Sequence, residues 1–115
     1  MEKNVKISIL AQTYGKLLTQ KQYAILNDYY NNDLSLSEIA ENNNITRQAV
    51  RDILKKGENK LFELEEKLKI MEKTLVQEEK IAHILSKITK IKSEYSDKKI
   101  ANILDEIKYE LNSLN

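Results

Sequence analysis

Apolar residues recur along the chain at three- and four-residue steps, which is the period of amphipathic helices. In the N-terminal part this pattern predicts two helices, over residues 3–18 and 20–31, and Thr19 between them is a candidate N-cap. The apolar positions of the first helix are Ile7, Leu10, Ala11, Tyr14, Leu17 and Leu18. Those of the second are Tyr23, Leu26, Tyr29 and Tyr30. Their helical spacing favours a core position for the tyrosines over stacking on nucleic acid bases.

The stretch over residues 36–54 predicts a helix-turn-helix. Ser35 or Ser37 can cap a short first helix, in which Ala40 is small enough for a second helix to approach closely. Residues 42–44 are asparagines, which tolerate the left-handed backbone of a tight turn, and Thr46 can cap the second helix. The inward-facing positions are Leu36, Ile39, Ala40, Ile45, Val50, Ile53 and Leu54.

The second helix of this motif is predicted to continue well beyond it, from Thr46 to about Met71. Gly57 and a series of large apolar residues step by three and four positions, which is the spacing of a heptad seam. Such a helix would be about 39 Å long, too long to bury its apolar stripe against a small bundle. We expect a partner helix, preferably from a second copy in a coiled-coil-like homodimer, or otherwise from later in the chain. The seam residues are Leu54, Leu61, Leu64, Leu68, Met71 and Leu75.

Two further amphipathic segments are predicted in the C-terminal part, with a cap or break at Ser96 and Asp97. The apolar residues of the first are Ile81, Ile84, Leu85, Ile88, Ile91 and Tyr95. Those of the second are Ile100, Ile103, Leu104, Ile107, Leu111 and Leu114. The predicted architecture is all-α, with a helix-turn-helix bundle over residues 1–60 and a long helix leading into a helical, coiled-coil-like arm over residues 61–115.

Composition agrees with a helical protein and narrows its class. The 115-residue chain contains two Gly and no Pro, so few residues interrupt a helix. The absence of Cys excludes disulfides and thiolate metal sites and fits a reducing compartment. No apolar run approaches the roughly 20 residues of a membrane span, and no leader pattern opens the chain, so we expect a cytoplasmic protein.

The charge pattern singles out the second helix of the motif. The whole chain carries a net charge of only +1, which is unusual for a dedicated DNA-binding protein, but residues 46–60 contain five basic and two acidic side chains. Phosphate neutralisation supplies most non-specific affinity for nucleic acids, so this segment is the candidate binding surface. In a DNA complex, three of its side chains would reach bases and three lysines would contact phosphates. The candidate residues are Thr46, Arg47, Gln48, Arg51, Lys55, Lys56 and Lys60.

Catalytic and metal-binding patterns are missing from the sequence. His83 is the only histidine and has no Cys or paired carboxylate motif beside it. The chain has no phosphate-binding Gly loop, nucleophile elbow or nucleotide fingerprint. We therefore expect no enzymatic activity, no cofactor and no metal.

The motif also carries a resemblance to known proteins. Leu36, Ile39 and Ala40, followed by residues 45–50, resemble region 4 of bacterial sigma factors. Over nearly its whole length the chain is similar to the YlxM family of small bacterial helix-turn-helix proteins, most strongly through about Met71. The matching segments are residues 17–22, Tyr29 and Tyr30, residues 34–40, and residues 46–50 with Asp52.

The YlxM resemblance implies a function without enzymatic activity. Genes of that family lie beside those for the signal recognition particle GTPase and its receptor. An accessory or regulatory role in that pathway is therefore expected, through binding of the particle's protein or RNA. Two alternatives stay open. One is a DNA-binding regulator that places the helix from Thr46 in a major groove, and the other is a helical adaptor whose motif is structural only.

Overall fold

The computed structural model describes residues 1–114 and confirms the predicted all-α fold. The α-helices of this part of the chain are α1 (Lys3–Tyr14), α2 (Gln20–Tyr30), α3 (Leu36–Asn43), α4 (Arg47–Leu68), α5 (Ile70–Glu94) and α6 (Lys98–Asn112), and a short 3-10 helix (Gly15–Leu17) follows α1. None of the described residues lies in a β-strand. None of the described helices is long and apolar enough to cross a membrane.

Two helices begin at the polar residues from which the sequence predicts their starts. The Thr19 hydroxyl accepts a hydrogen bond from the backbone N–H of Gln22, and the Gln22 side chain accepts one from the N–H of Thr19. Ser35 and Glu38 make the same reciprocal pair at the start of α3, so Ser35 rather than Ser37 is the cap. Each pair satisfies two backbone N–H groups that lack an intrahelical partner.

The N-terminal unit, Met1–Met71, is built around α4. Helices α1, α2 and α3 all pack against α4 and share one core with it. The fully buried side chains of this core are Ile7, Leu10, Tyr14, Ile25, Leu26, Ile39, Val50 and Leu61. Because the burial of large apolar side chains is the main contribution to folding stability, these residues fix the position of α4 within the unit.

The structure places the first part of the predicted seam in this core. Leu54 and Leu61 are buried, and Gly57 lies against the side chain of Leu26. Leu64 is half-buried. Three helices of the same chain cover α4, so the apolar stripe of its first half needs no helix from a second copy.

The helix that follows Thr46 ends earlier than the sequence predicts, at Leu68. Lys69 adopts the left-handed conformation, with φ 55° and ψ 30°, and α5 begins at the next residue. A single continuous seam therefore does not form, because it is interrupted between Leu68, which is 45% exposed, and the buried Met71. Leu75, the last predicted seam residue, lies half-buried on α5.

A buried tyrosine stabilises the connection between α4 and α5. The Tyr14 hydroxyl donates a hydrogen bond to Oε1 of Glu65 over 2.6 Å and accepts one from the backbone N–H of Ile70 over 3.1 Å. The same Glu65 oxygen accepts a hydrogen bond from the N–H of Met71 over 3.0 Å. Two N–H groups in the first turn of α5 thus find partners on α1 and α4, so α5 starts at a defined point of the N-terminal unit.

The two units divide between Met71 and Glu72, eleven residues beyond the boundary at residue 60 that the sequence suggests. Leu61 explains the difference because its fully buried side chain belongs to the N-terminal core. Glu65 adds the hydrogen bond from Tyr14. Both residues lie beyond position 60 yet hold the rest of α4 to the N-terminal unit.

The expected core position of the tyrosines in α2 is wrong for two of them. Tyr23 is 42% exposed and Tyr29 is 37% exposed, whereas Tyr30 is half-buried. Ile25 and Leu26 supply the buried apolar surface of α2 instead. A three- or four-residue spacing defines a stripe along a helix, but it does not show which edge of that stripe faces the core.

The second unit, from Glu72 onward, contains most of α5 and all of α6. Asp97 caps α6 by accepting a hydrogen bond from the N–H of Lys99, as expected for the predicted break. The connection from Glu94 to Lys98 is short, and Lys92 on α5 forms an ion pair with Asp105 on α6 over 2.5 Å. The two helices therefore form an antiparallel hairpin, whose buried side chains are Ile81, Ile88 and Leu104.

Candidate nucleic-acid interface

The turn between α3 and α4 uses fewer asparagines than the sequence suggests. Asn42 and Asn43 belong to α3, and only Asn44 adopts the left-handed conformation, with φ 54° and ψ 42°. The backbone N–H of the following Ile45 donates a hydrogen bond to the carbonyl of Ala40 over 3.1 Å. Asn44 has no Cβ-branched side chain to clash in this conformation, so the chain reverses here without a glycine.

The start of α4 is fixed by a cap and by the core beneath it. The Thr46 hydroxyl accepts a hydrogen bond from the N–H of Ala49 over 3.0 Å, which confirms Thr46 as the N-cap. On the inner side, Ile39 of α3 and Val50 of α4 are fully buried, and Ala40 is nearly so. The close approach that the small Ala40 side chain predicts is therefore present, and the opposite side of α4 faces solvent.

All seven candidate residues are exposed in the structure. They are Thr46, Arg47, Gln48, Arg51, Lys55, Lys56 and Lys60. The ion pairs found among residues 1–114 are Lys67 with Glu63 and Lys92 with Asp105, so none of the seven is neutralised by a contact of that kind. Unpaired exposed cations keep their charge available to a phosphate or a carboxylate on a partner.

The five basic side chains lie on two sides of α4 rather than on one. Successive residues of a helix are rotated by about 100°, so Arg47, Arg51 and Lys55 share one side. Arg51 and Lys55 line the same open groove. Lys56 and Lys60 line a different groove, beside Glu63. We name Arg47, Arg51 and Lys55 the α4 basic strip.

The outermost side of α4 between these two groups is not basic. Gln48 donates a hydrogen bond to Oδ1 of Asp52 over 3.1 Å, and both side chains are exposed. The Asp52 carboxylate would repel a phosphate placed directly over it, while the Gln48 carbonyl oxygen stays free to accept a hydrogen bond. The surface therefore offers three cations next to a polar pair, and its charge is moderate.

The structure adds two residues that the motif does not identify. Lys3 at the start of α1 and Tyr29 of α2 line the same groove, of about 460 Å³, as Arg51 and Lys55. The Tyr29 ring packs edge-on against Tyr30, with 5.0 Å between the ring centroids. No local sequence signal connects Lys3 to this groove, because only the packing of α1 on α4 brings it there. Tyr29 lies beside the predicted motif in the sequence, which makes it a candidate, but its exposure depends on how α2 packs.

Residues 1–114 contain no group of three or more His, Asp or Glu side chains placed to hold a metal ion. The His83 side chain is exposed on α5.

Comparison with known proteins extends the similarity over most of the chain. A family model described as "Putative helix-turn-helix protein, YlxM / p13 like" matches residues 1–107. The UPF0122 protein of Clostridium acetobutylicum is 42% identical over 113 residues, which cover 98% of this chain and 97% of that protein. The UPF0122 protein of Clostridium kluyveri is 45% identical over 115 residues, which cover 99% and 100%. The UPF0122 protein of Malacoplasma penetrans is 56% identical over 66 residues, which cover 57% and 62%. The family match reaches into α6, well beyond the N-terminal unit.

Proposed function

Because the chain belongs to the YlxM / p13-like helix-turn-helix family, we propose that it is a non-enzymatic regulatory protein that binds its partner through the start of α4. The observation that carries this proposal is the exposure of Arg47, Gln48 and Arg51 without ion pairs. In helix-turn-helix proteins the first turns of the second helix reach the partner's groove. The buried contacts of Ile39 and Val50 support the same role, since they hold α4 rigidly behind that surface.

We propose the signal recognition particle pathway as the place where this surface acts, with the particle's RNA or protein as the partner. The resemblance to the YlxM family supports this pathway. The net charge of +1 also favours this pathway over binding to long DNA. A protein that binds long DNA non-specifically gains affinity by neutralising many phosphates, and this chain has little excess positive charge for that purpose. The α4 basic strip offers three cations, which suits a short, defined nucleic-acid helix or an acidic protein surface.

The second candidate is a DNA-binding transcriptional regulator, and one observation favours it. The α3–α4 turn, the Thr46 cap and the outward Arg47, Gln48 and Arg51 form the arrangement that places side chains against base edges in a major groove. Lys55 would then contact a phosphate. Lys56 and Lys60 lie on the other side of α4 and have a smaller role in this arrangement than the sequence suggests.

Fluorescence anisotropy with labelled signal recognition particle RNA, the particle's protein and random duplex DNA separates these proposals. On nucleic acid that lacks a specific site, all three cations of the α4 basic strip would contact phosphates, so we expect affinity to fall with salt with a logarithmic slope of about −3. The Arg47→Ala/Arg51→Ala variant removes two of these contacts and should lower the slope by about two. The Lys16→Ala/Lys21→Ala variant is the matched control, because it removes the same charge from exposed positions outside α4.

The outcomes distinguish the partners. Tight binding of the particle's RNA or protein with weak binding of DNA supports the pathway proposal, and the reverse supports the transcriptional alternative. Equal losses in the two double variants would show that overall charge, rather than the start of α4, causes binding. No binding to any of the three partners at micromolar protein would refute both proposals.

We also propose that the chain acts as a homodimer. Leu54 and Leu61 of the predicted seam do not provide the surface, because both are buried in the N-terminal core. The support comes instead from apolar residues that the second unit leaves exposed.

A further inference from the structure

The hairpin of α5 and α6 leaves one set of isoleucines uncovered. Ile84 and Ile91 on α5 are 41% and 39% exposed. Ile100, Ile103 and Ile107 on α6 are 38%, 57% and 39% exposed. We name these five residues the isoleucine face. Contiguous exposed apolar residues of this size, bordered by charges, mark interaction surfaces.

The five isoleucines lie on the same side of the hairpin. The buried Ile88 and Leu104 mark the covered side of each helix. Each residue of a helix is rotated by about 100°, so three residues turn by about 300°, which is about 60° short of a full turn. Ile91 therefore lies about 60° back from Ile88 around the axis of α5, and Ile107 lies about 60° back from Leu104 around the axis of α6. Because the helices are antiparallel, rotation in the same sense on each brings both residues to one side of the hairpin.

Charged residues border the isoleucine face on both helices, and the signs of the charges along α5 are opposite to those along α6. Along α5, counted from the connection between the helices, the outer edge presents Glu94, Lys87 and Lys80, which are seven residues apart. Along α6 the outer edge presents Lys99, Glu106 and Glu110 in the same direction. All six side chains are exposed, and the ion pairs found among residues 1–114 include none of them. The order is negative, positive, positive on α5 and positive, negative, negative on α6.

We propose that a second copy of this chain covers the isoleucine face, with α5 of each copy lying over α6 of the other and the two interhelical connections at the same end. In this arrangement a twofold axis runs parallel to the helices, and the product is an antiparallel four-helix bundle. Glu94 then faces Lys99 of the other copy, Lys87 faces Glu106, and Lys80 faces Glu110. The reversed arrangement, with opposite ends together, would not place Lys80 and Lys87 opposite acidic residues of α6.

This inference names the surface of the homodimer proposed above, and it does not depend on what α4 binds. The test is the mass of the full-length protein by analytical ultracentrifugation over micromolar to millimolar concentrations. The wild type should have twice the chain mass of 13.4 kDa. Ile103→Glu should give a monomer, and because this residue is exposed in the single chain, the substitution removes no buried contact within that chain.

A charge exchange tests the arrangement of the two copies. Lys87→Glu should weaken the dimer by about tenfold or more, because it puts like charges together at two symmetric positions. Adding Glu106→Lys to it should restore the wild-type dissociation constant. Lys90→Glu is the matched control, since it makes the same charge change on the same helix, about 180° from Ile81 and away from the isoleucine face.

Each other result overturns the proposal. A monomeric wild type would show that no second copy covers the face. A dimer that survives both Ile103→Glu and Lys87→Glu uses another surface. Failure of Glu106→Lys to rescue Lys87→Glu would refute the placement of α5 over α6. Arg47→Ala/Arg51→Ala should keep the dimer mass, so failure of pairing and failure of partner binding are distinguishable.

Discussion

At the scale of single residues, Tyr14 connects three helices through one hydroxyl. Its ring is 2% exposed, and its oxygen bonds both Glu65 on α4 and the start of α5. Burial, followed by the hydrogen bond to Glu65, raises the pKa of Tyr14 above its ordinary value of 10.0. Burial and the contact with Glu58 raise the pKa of Tyr30 in the same direction. Both side chains therefore favour the neutral phenol in the folded protein.

The raised pKa values predict a loss of stability in alkali. Above pH 10 the unfolded chain releases phenolic protons that Tyr14 and Tyr30 retain in the folded state. The unfolded state then binds fewer protons, so the free energy of unfolding falls as pH rises, and the contribution is fully present below pH 10. Urea unfolding between pH 9 and pH 12 should show this decline, and Tyr14→Phe should make it shallower. Tyr109→Phe, at a position 78% exposed, should match the wild type, and an unchanged slope in Tyr14→Phe would contradict the assignment.

Gly57 lies where α4 packs against Leu26 of α2. A Cβ added there would lie 2.8 Å from Cδ1 of Leu26, and because Leu26 is 1% exposed, its side chain can shift only by displacing other core atoms. Gly57→Ala should therefore destabilise the protein by about 1–3 kcal/mol through overpacking, despite the better helix propensity of Ala. Gly15→Ala is the comparison, because its Cβ would meet the ring of Tyr23, which is 42% exposed and can turn aside. Thermal unfolding of both variants checks this, and an equal or larger loss in Gly15→Ala would contradict it.

At the scale of elements, the helix-turn-helix depends on one left-handed residue. Asn44 has φ 54° in the turn, whereas Asn42 lies within α3 and is exposed. Asn44→Ala should cost about 1–2 kcal/mol, because alanine adopts the left-handed conformation at a higher energetic cost than asparagine does. Asn42→Ala should be neutral or stabilising, since Ala has the higher helix propensity. Urea unfolding of the pair measures both, and equal effects would show that residues 42–44 act together as the turn.

The sequence predicts those elements whose signals are local. The caps at Thr19 and Thr46 were predictable because each bond joins residues three positions apart. The end of α4 was not, because the left-handed Lys69 has no glycine or proline beside it and the start of α5 is fixed by Tyr14, far away in the chain. The prediction of one continuous seam was wrong for a related reason. A heptad spacing identifies an apolar stripe but not the helices that cover it, and for Leu61 these belong to the same chain.

Local signals in the sequence likewise predict only part of the candidate site. The exposure of Arg47, Gln48 and Arg51 follows from the phase of α4, which the buried Val50 sets within the motif itself. The grouping of Lys56 and Lys60 on another side required the positions of neighbouring helices. The contribution of Lys3 to the groove required the tertiary packing of α1. Side chains that are close only in space leave no pattern in a single sequence.

At the scale of the whole molecule, the two units differ in how much apolar surface each one buries. The N-terminal unit has eight fully buried large side chains from four helices. In the unit from Glu72 onward, the large apolar side chains that are buried are Ile81, Ile88 and Leu104, among the residues that the structure describes. Two helices with so small a core are marginal by themselves, because the lost conformational entropy offsets the apolar burial.

This difference predicts that the N-terminal unit folds alone and the second unit does not. A fragment of residues 1–71 should unfold cooperatively with a transition close to that of the full chain, since the core around Leu61 and the contact of Tyr14 with Glu65 lie within it. Circular dichroism of a fragment of residues 72–115 should show helicity that rises with concentration, because only association can cover its isoleucines. Leu61→Ala should lower the transition of the 1–71 fragment and of the full chain alike. Concentration-independent helicity in residues 72–115, or a non-cooperative 1–71 fragment, would contradict this division of stability.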